Sequence, residues 1–135
     1  MRYAVIFPSI LLLWSVPASA ADFSCSNPGA EIRCADGKCD FLVPPEGFTP
    51  MHLSKTGPTL SICAYSGCWS GPVTLRRTVG KVSLIHARVK ADSDATSEVK
   101  STPEFDDISV IYNGDSDSAQ MTWAGFSNVM ECEKN

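Results

Sequence analysis

Six cysteines, at positions 25, 34, 39, 63, 68 and 132, constrain this chain more than any other feature. Four form two pairs with one interval, Cys34-x4-Cys39 and Cys63-x4-Cys68, and the other two lie near the ends of the sequence. The first pair brackets Asp36-Gly37, a dipeptide that favours two-residue hairpin loops because both loop positions need positive φ. With that loop Ala35 faces Lys38, and Cys34 faces Cys39 as a non-hydrogen-bonded pair whose Cα atoms stand roughly 4.5 Å apart. A cross-strand disulfide is feasible at that separation. The same arithmetic bridges Cys63 to Cys68 if the turn centres on Tyr65-Ser66, and elimination then pairs Cys25 with Cys132. Six cysteines allow fifteen pairings, so this connectivity is an expectation and others stay open.

Disulfides require an oxidising compartment, and the N-terminus supplies the expectation of one. Arg2 precedes an apolar stretch from Tyr3 to Val16, which ends in the small-x-small triplet Ala18-Ser19-Ala20. That arrangement reads as a signal peptide over residues 1–20, cleaved after Ala20. The apolar run is short for a bilayer span and Pro8 interrupts it, and no later stretch is long and apolar enough to cross a membrane. Residues 21–135 are therefore expected to form a single exported domain, periplasmic or secreted. Its 115 residues, the chain of 135 less the 20 of the signal, fit one compact domain with a modest core.

The net charge is −4, and it is unevenly spread. Residues 21–91 carry eight Lys or Arg against five Asp or Glu, whereas residues 92–135 carry two against ten. An acidic exported domain does not suit nucleic acid or an anionic lipid surface.

The apolar segments are short, β-branched and separated by Gly, Pro, Asn and Asp, which predicts an all-β domain. Strands are expected at Glu31–Ala35, Cys39–Val43, Thr59–Ala64, Trp69–Val79, Lys81–Lys90, Ile108–Tyr112, Ala119–Ala124 and Asn128–Cys132. Lys81–Lys90 alternates as a half-buried strand does, with Ser83, Ile85, Ala87 and Val89 on one face. Val43-Pro44-Pro45-Glu46-Gly47 reads as a loop, and Ala91–Pro103, polar and acidic, as a long surface excursion. Together these predict a small antiparallel β-barrel or sandwich of about seven to nine strands, stapled by disulfides.

Chemistry is harder to find. A structural disulfide set leaves no thiol for metal binding or redox work, and the C-x4-C spacing is wider than zinc sites prefer. No metal and no cofactor are expected. The two histidines, His52 and His86, are not accompanied by a G-x-S-x-G nucleophile elbow. Asp115-x-Asp117 after Asn113-Gly114 offers carboxylates to a cation, but matches little of a calcium loop and reads as a charged hairpin tip. Two surfaces are better candidates. Arg76, His86, Arg88 and Lys90, with Thr74 and Thr78, are expected to share one solvent face suited to an anionic ligand or an acidic partner. Tyr65 and Ser66, in the stapled turn ahead of Trp69, make a rigid aromatic protrusion of the kind that anchors protein contacts. Trp69 itself is expected in the core.

Phe48-Thr49-Pro50-Met51-His52-Leu53, the run Cys63-Ala64-Tyr65-Ser66-Gly67-Cys68-Trp69 and the closing Met130-x-Cys132 resemble a group of small, uncharacterised, cysteine-rich periplasmic proteins of Gram-negative bacteria. The resemblance covers about a quarter of the chain and implies compartment, not activity. The exported inhibitors of c-type lysozyme are similar in size and disulfide-closed β architecture. Their Ser-Gly-x-x-Tyr loop is not matched, because Ser66-Gly67 runs on into Cys68-Trp69-Ser70. The expectation is a non-enzymatic binding or inhibitor module acting through Tyr65, Ser66, Arg76, His86 and Arg88 on an envelope or host protein. The alternatives are a structural envelope component without a discrete ligand and, third, a hydrolase that the motifs do not reveal.

Overall fold

A computed structural model describes residues 22–45, 47–65, 67–92 and 105–134. The expected signal peptide at 1–20, Ser66 and nearly all of the expected 91–103 excursion lie outside these described residues. Ten strands and no helix are present among them: β1 Phe23–Ser26, β2 Glu31–Ala35, β3 Lys38–Leu42, β4 Met51–Thr56, β5 Thr59–Ala64, β6 Gly67–Val79, β7 Val82–Ala91, β8 Asp106–Asn113, β9 Ser118–Trp123 and β10 Phe126–Lys134. Eight of them, in the order β1-β4-β5-β6-β7-β8-β9-β10, close into an antiparallel barrel when β10 pairs back onto β1. The remaining two, β2 and β3, form a hairpin that hangs on β10 outside the closed wall.

Closure removes the sheet edges around most of the wall, and alternation sends one side of every strand into a shared interior. Phe23, Leu53, Leu60, Ile62, Ile85, Val89, Ile108, Val110, Met121 and Met130 fill that interior. At one end Phe23 stacks on Tyr112 with ring centroids 4.3 Å apart, and at the other Trp69 leans on Trp123 at 4.9 Å. Trp69 is half-buried and packs against the core, where it was expected. These inward side chains form one contiguous apolar cluster, with Trp69, Val73 and Phe126 packed against it.

All three bridges join residues that the ladders set directly opposite one another. Cys25–Cys132 ties β1 to β10 across the closing seam, Cys34–Cys39 spans the β2–β3 hairpin, and Cys63–Cys68 spans β5–β6. No free cysteine is left among the described residues. The Asp36-Gly37 loop has the expected positive φ at both positions, 52° and 76°. In the second hairpin the turn follows Ala64, opposite Gly67, and Tyr65 adopts φ +48°.

One inward position is not apolar. Lys55 on β4 is 2% exposed, flanked by Phe23 on β1 and Leu60 on β5. Its Nζ donates to the Gly57 carbonyl at 2.8 Å and lies 3.8 Å from the Asp22 carboxylate. Burial pulls the Lys55 pKa below that of a free lysine and the charge of Arg76 adds to the fall, while Asp22 opposes it. Where the folded chain holds its proton less tightly than the unfolded chain, the unfolded state binds more protons and stability rises with pH. That window lies below the ordinary lysine value of 10.5. Tyr112, whose burial raises its phenol, and Lys134, raised by its hydrogen bond to Asp117, act in the opposite sense at alkaline pH. The Lys55 contribution is therefore read as a difference between variants. Lys55→Met keeps the volume and removes the buried charge, and is expected to raise stability by about 1 kcal/mol at neutral pH. The gain should shrink as pH climbs toward 10.5, as followed by urea unfolding at a series of pH values. A constant difference across that series would show that the ammonium carries no penalty.

Candidate functional site

The β2–β3 hairpin is held to the barrel at few points, but those points are strong. Arg33 on β2 reaches the Glu31 carboxylate at 2.5 Å, and the same Arg33 Nη2 donates to Gly47 O and Thr49 Oγ1, both at 2.8 Å. Glu31 is fully buried and accepts from the Thr49 N–H at 3.1 Å. Asn27, also buried, donates to Thr49 O at 3.0 Å and accepts from the Met51 N–H at 2.7 Å. The Arg33 guanidinium lies 5.2 Å over the Phe126 ring, a cation–π contact that adds to the clamp. Charge-assisted bonds with a buried carboxylate are the strong class, and these tie Glu31 and Arg33 of the hairpin to Gly47 and Thr49.

That clamp leaves an apolar trough. Ile32 on β2 and Phe41 on β3 are opposite in register and face the same way, toward Val129 on the outer side of β10. With Pro28 and Ala30 they enclose about 270 Å³. Phe41 is 69% exposed and Val129 71%. Pro28 and Glu131 at the trough's end also line a second hollow of about 310 Å³, whose other walls include Ser24, Ser26, His52 and Glu133. His52 and Ser26 then open into a third hollow of about 500 Å³, bounded by Pro50, Ala64 and Tyr65. The shared residues make one continuous groove across the outer faces of β10, β1, β4 and β5. A stapled hairpin stands at each end.

The ladders fix the floor of this groove. Ser26 pairs with His52 on one side and with Glu131 on the other, so the three lie in a row across β4, β1 and β10. Ser26 Oγ is 3.5 Å from His52 Nδ1. A hydrolytic triad needs the histidine between the hydroxyl and the carboxylate, whereas here the serine is in the middle. Glu131 and Glu133 form no ion pair among the described residues, so the floor is acidic. At the far end the Tyr65 hydroxyl donates to Phe48 O at 2.8 Å while the ring remains 76% exposed. Its tip is pinned and its face is free.

The other sequence candidates do not gather here. His86 and Arg88 stand on the outer face of β7 against β8, where Arg88 Nε is 3.3 Å from Asp107 Oδ1 and His86 Nδ1 is 3.1 Å from Ser109 Oγ. His86 Nε2 is 3.6 Å from the same Asp107, beyond hydrogen-bond range. These four side chains adorn a sheet face, and none of them lines a groove hollow. Arg76 is on neither surface. The loop between β6 and β7 has two residues, Gly80 and Lys81, so Val79 faces Val82 and, from Leu75 to Val79, odd positions of β6 face even positions of β7. Arg76 accordingly stands opposite the inward Ile85, and Thr78 opposite the inward Ser83. A shared face for Arg76, His86 and Arg88 would need a loop longer or shorter by one residue. The expected single stripe is thus divided between two sides of the sheet. The acidic tip behaves as a charged turn: Asp115 is 3.3 Å from Lys81, and Asp117 is 2.8 Å from Lys134, whose hydrogen bond holds that carboxyl below its usual pKa.

Phe41, Ile32, Val129 and Glu131 were not singled out by sequence. Phe41 belongs to a recognisable hairpin, but its trough depends on where that hairpin docks.

Fold and groove together define a class: a closed, disulfide-stapled antiparallel barrel with a continuous groove on its outer side. No family model matches the chain, and no curated protein and no solved structure matches it either.

Proposed function

We propose that the protein is a non-enzymatic, exported contact module that holds an extended segment of an envelope or host protein in the groove between its two stapled hairpins. The observation that carries this reading is the pair of exposed aromatic residues, Phe41 and Tyr65, each fixed on a disulfide-closed hairpin at opposite ends of one groove. Aromatic anchors on pre-organised walls lose little entropy on binding, which is where affinity is usually won. The apolar trough calls for a large aliphatic or aromatic side chain in the partner, and the Glu131–Glu133 floor for a lysine or arginine beside it. The complete oxidation of the described cysteines agrees with an exported location. Hydrolysis is not part of the reading, because in the groove the serine and not the histidine is central. His86 does stand between Ser109 and Asp107, but it is 3.6 Å from a carboxylate that it shares with Arg88 and lines none of the groove's hollows.

A displayed random-peptide library panned on the oxidised protein tests this. Enriched peptides should pair an apolar anchor with a basic residue. Phe41→Ala should weaken a selected peptide by roughly 30-fold or more, the effect of removing an anchor worth about 2 kcal/mol. Glu131→Gln should reduce the preference for a basic residue. Peptides that bind with unchanged affinity after both substitutions would remove the groove from consideration.

A further inference from the structure

A second surface lies at the other end of the barrel, where β6 outruns its neighbour. β5 begins only at Thr59, paired with Pro72, and the last bond on that side is from the Val73 N–H to Pro58 O at 2.8 Å. After an irregularity at Thr74, which has no ladder partner, Leu75 to Val79 of β6 pair with β7 alone among the described residues, and every residue from Thr74 to Val79 is exposed. In a two-residue hairpin the positions flanking the loop form a hydrogen-bonded pair, and bonded and non-bonded pairs alternate from there. Val79, Arg77 and Leu75 therefore direct their backbone groups to β7. The N–H and C=O of Arg76 and Thr78 face the open side.

An open edge of this kind is a template for another strand, and its side chains decide which. Arg76 and Arg77 are adjacent, point to opposite faces, and form no ion pair among the described residues, unlike Arg88 and Lys81 nearby. A second copy of the chain is disfavoured by register. Two copies pairing antiparallel must oppose Arg76 or Thr78 of one with Arg76 or Thr78 of the other, because only those residues have free backbone groups. The two registers with most overlap then set Arg76 against Arg76 or Arg77 against Arg77, and like charges directly opposite repel. The same two cations favour a strand of opposite sign. Adjacent strand residues alternate faces, so two consecutive acidic residues place one carboxylate beside each arginine. Leu75 and Val79, exposed on either side of Arg77, complete the pattern with room for apolar or β-branched neighbours.

We propose that the Thr74–Val79 edge of β6 accepts an extended acidic segment of another protein as an added β-strand, with a pair of consecutive Asp or Glu residues opposite Arg76 and Arg77. Backbone bonds to Arg76 and Thr78 supply the pairing, and the two arginines supply the selection by charge. This surface is separate from the groove and does not depend on it.

The test uses the oxidised protein and three capped hexapeptides: Thr-Val-Glu-Asp-Val-Thr, its Thr-Val-Lys-Lys-Val-Thr counterpart, and the acidic peptide with every backbone nitrogen methylated. Amide hydrogen exchange read by NMR should show the Arg76 and Thr78 amides slowed by about tenfold or more with the acidic peptide alone, an effect that fades as salt rises. The double variant Arg76→Glu/Arg77→Glu, both changes at exposed positions, should transfer the preference to the lysine peptide. Equal binding of the methylated peptide would overturn strand addition, and equal binding of the lysine peptide would overturn selection by charge. Protection that appears without peptide as protein concentration rises would assign the edge to a second copy instead. Perturbations confined to the Phe41–Tyr65 groove would overturn the proposal while supporting the groove.

Discussion

Gly71→Ala is expected to leave the protein largely unfolded, with a loss of stability above about 4 kcal/mol, beyond the range of ordinary substitutions. A Cβ at Gly71 would sit 1.9 Å from the Arg88 carbonyl oxygen, 2.8 Å from its carbon and 3.0 Å from the Val89 Cα. All three obstacles are backbone, so no rotamer change can make room. β6 and β7 would have to part by more than an ångström at a point where β6 is also paired with β5 through Leu60. The ladder to β7 is already thin there, because it passes from Ser70–Lys90 to Val73–Ala87 with Pro72, which has no N–H to give, between them. Small domains have total stabilities of about 5–15 kcal/mol, so this one methyl group is expected to consume much of the whole. Gly29→Ala provides the comparison, since nothing lies within 4 Å of its added Cβ. Circular dichroism and urea titration of the two variants should separate them clearly. A Gly71→Ala protein as stable as Gly29→Ala would mean that the two strands are not in such close approach.

What could be read from residue order was mostly local. The Asp36-Gly37 loop, its flanking strands and the Cys34–Cys39 pair follow from turn chemistry, and so does the Cys63–Cys68 hairpin once its turn is placed. Asn113-Gly114 marked a reversal correctly, although the loop runs on to Asp117 and the facing pair is Asn113–Ser118. β4 went unrecognised because its inward alternation, Met51-Leu53-Lys55, ends on a lysine, and a buried lysine looks like a surface residue in sequence. The division of the expected Arg76–His86–Arg88 stripe has a similarly small cause. Strand parity depends on whether a loop has one, two or three residues, and Gly80 alone did not decide it. The groove was out of reach for a different reason. Its walls come from residues 24 to 133, and the apolar trough forms because β2 docks on the first two residues of β10, a contact between Arg33 and Phe126 that no local rule anticipates. Ser26, His52 and Glu131 each read singly as a solvent-facing polar residue, and only the two ladders flanking β1 set them side by side.

The Cys25–Cys132 bridge is expected to outweigh the other two. It joins residues 107 apart in sequence, whereas each hairpin bridge spans a separation of 5. On the chain-entropy view, closing a loop of that length removes about 5 kcal/mol of unfolded-state freedom, and a hairpin bridge about 2 kcal/mol. Position reinforces the difference. Both cysteines are buried in the core, β1 has only four residues, and the bridge lies at the seam where β1 and β10 close the barrel. The paired substitution Cys25→Ala/Cys132→Ala should therefore lose about 5 kcal/mol, together with some packing where the sulfurs were. The counterpart at Cys34 and Cys39, whose side chains are exposed, should lose about 2 kcal/mol and leave the barrel closed. The two effects also differ in place. Loss of the seam bridge should speed amide exchange in β1 and β10 at once, whereas loss of the hairpin bridge should loosen only β2–β3 and, with it, the Phe41 wall of the groove. If the hairpin variant proved the less stable of the two, closure at the seam would have to rest on the ladders alone, and the staple at Cys34–Cys39 would be what keeps the fold intact.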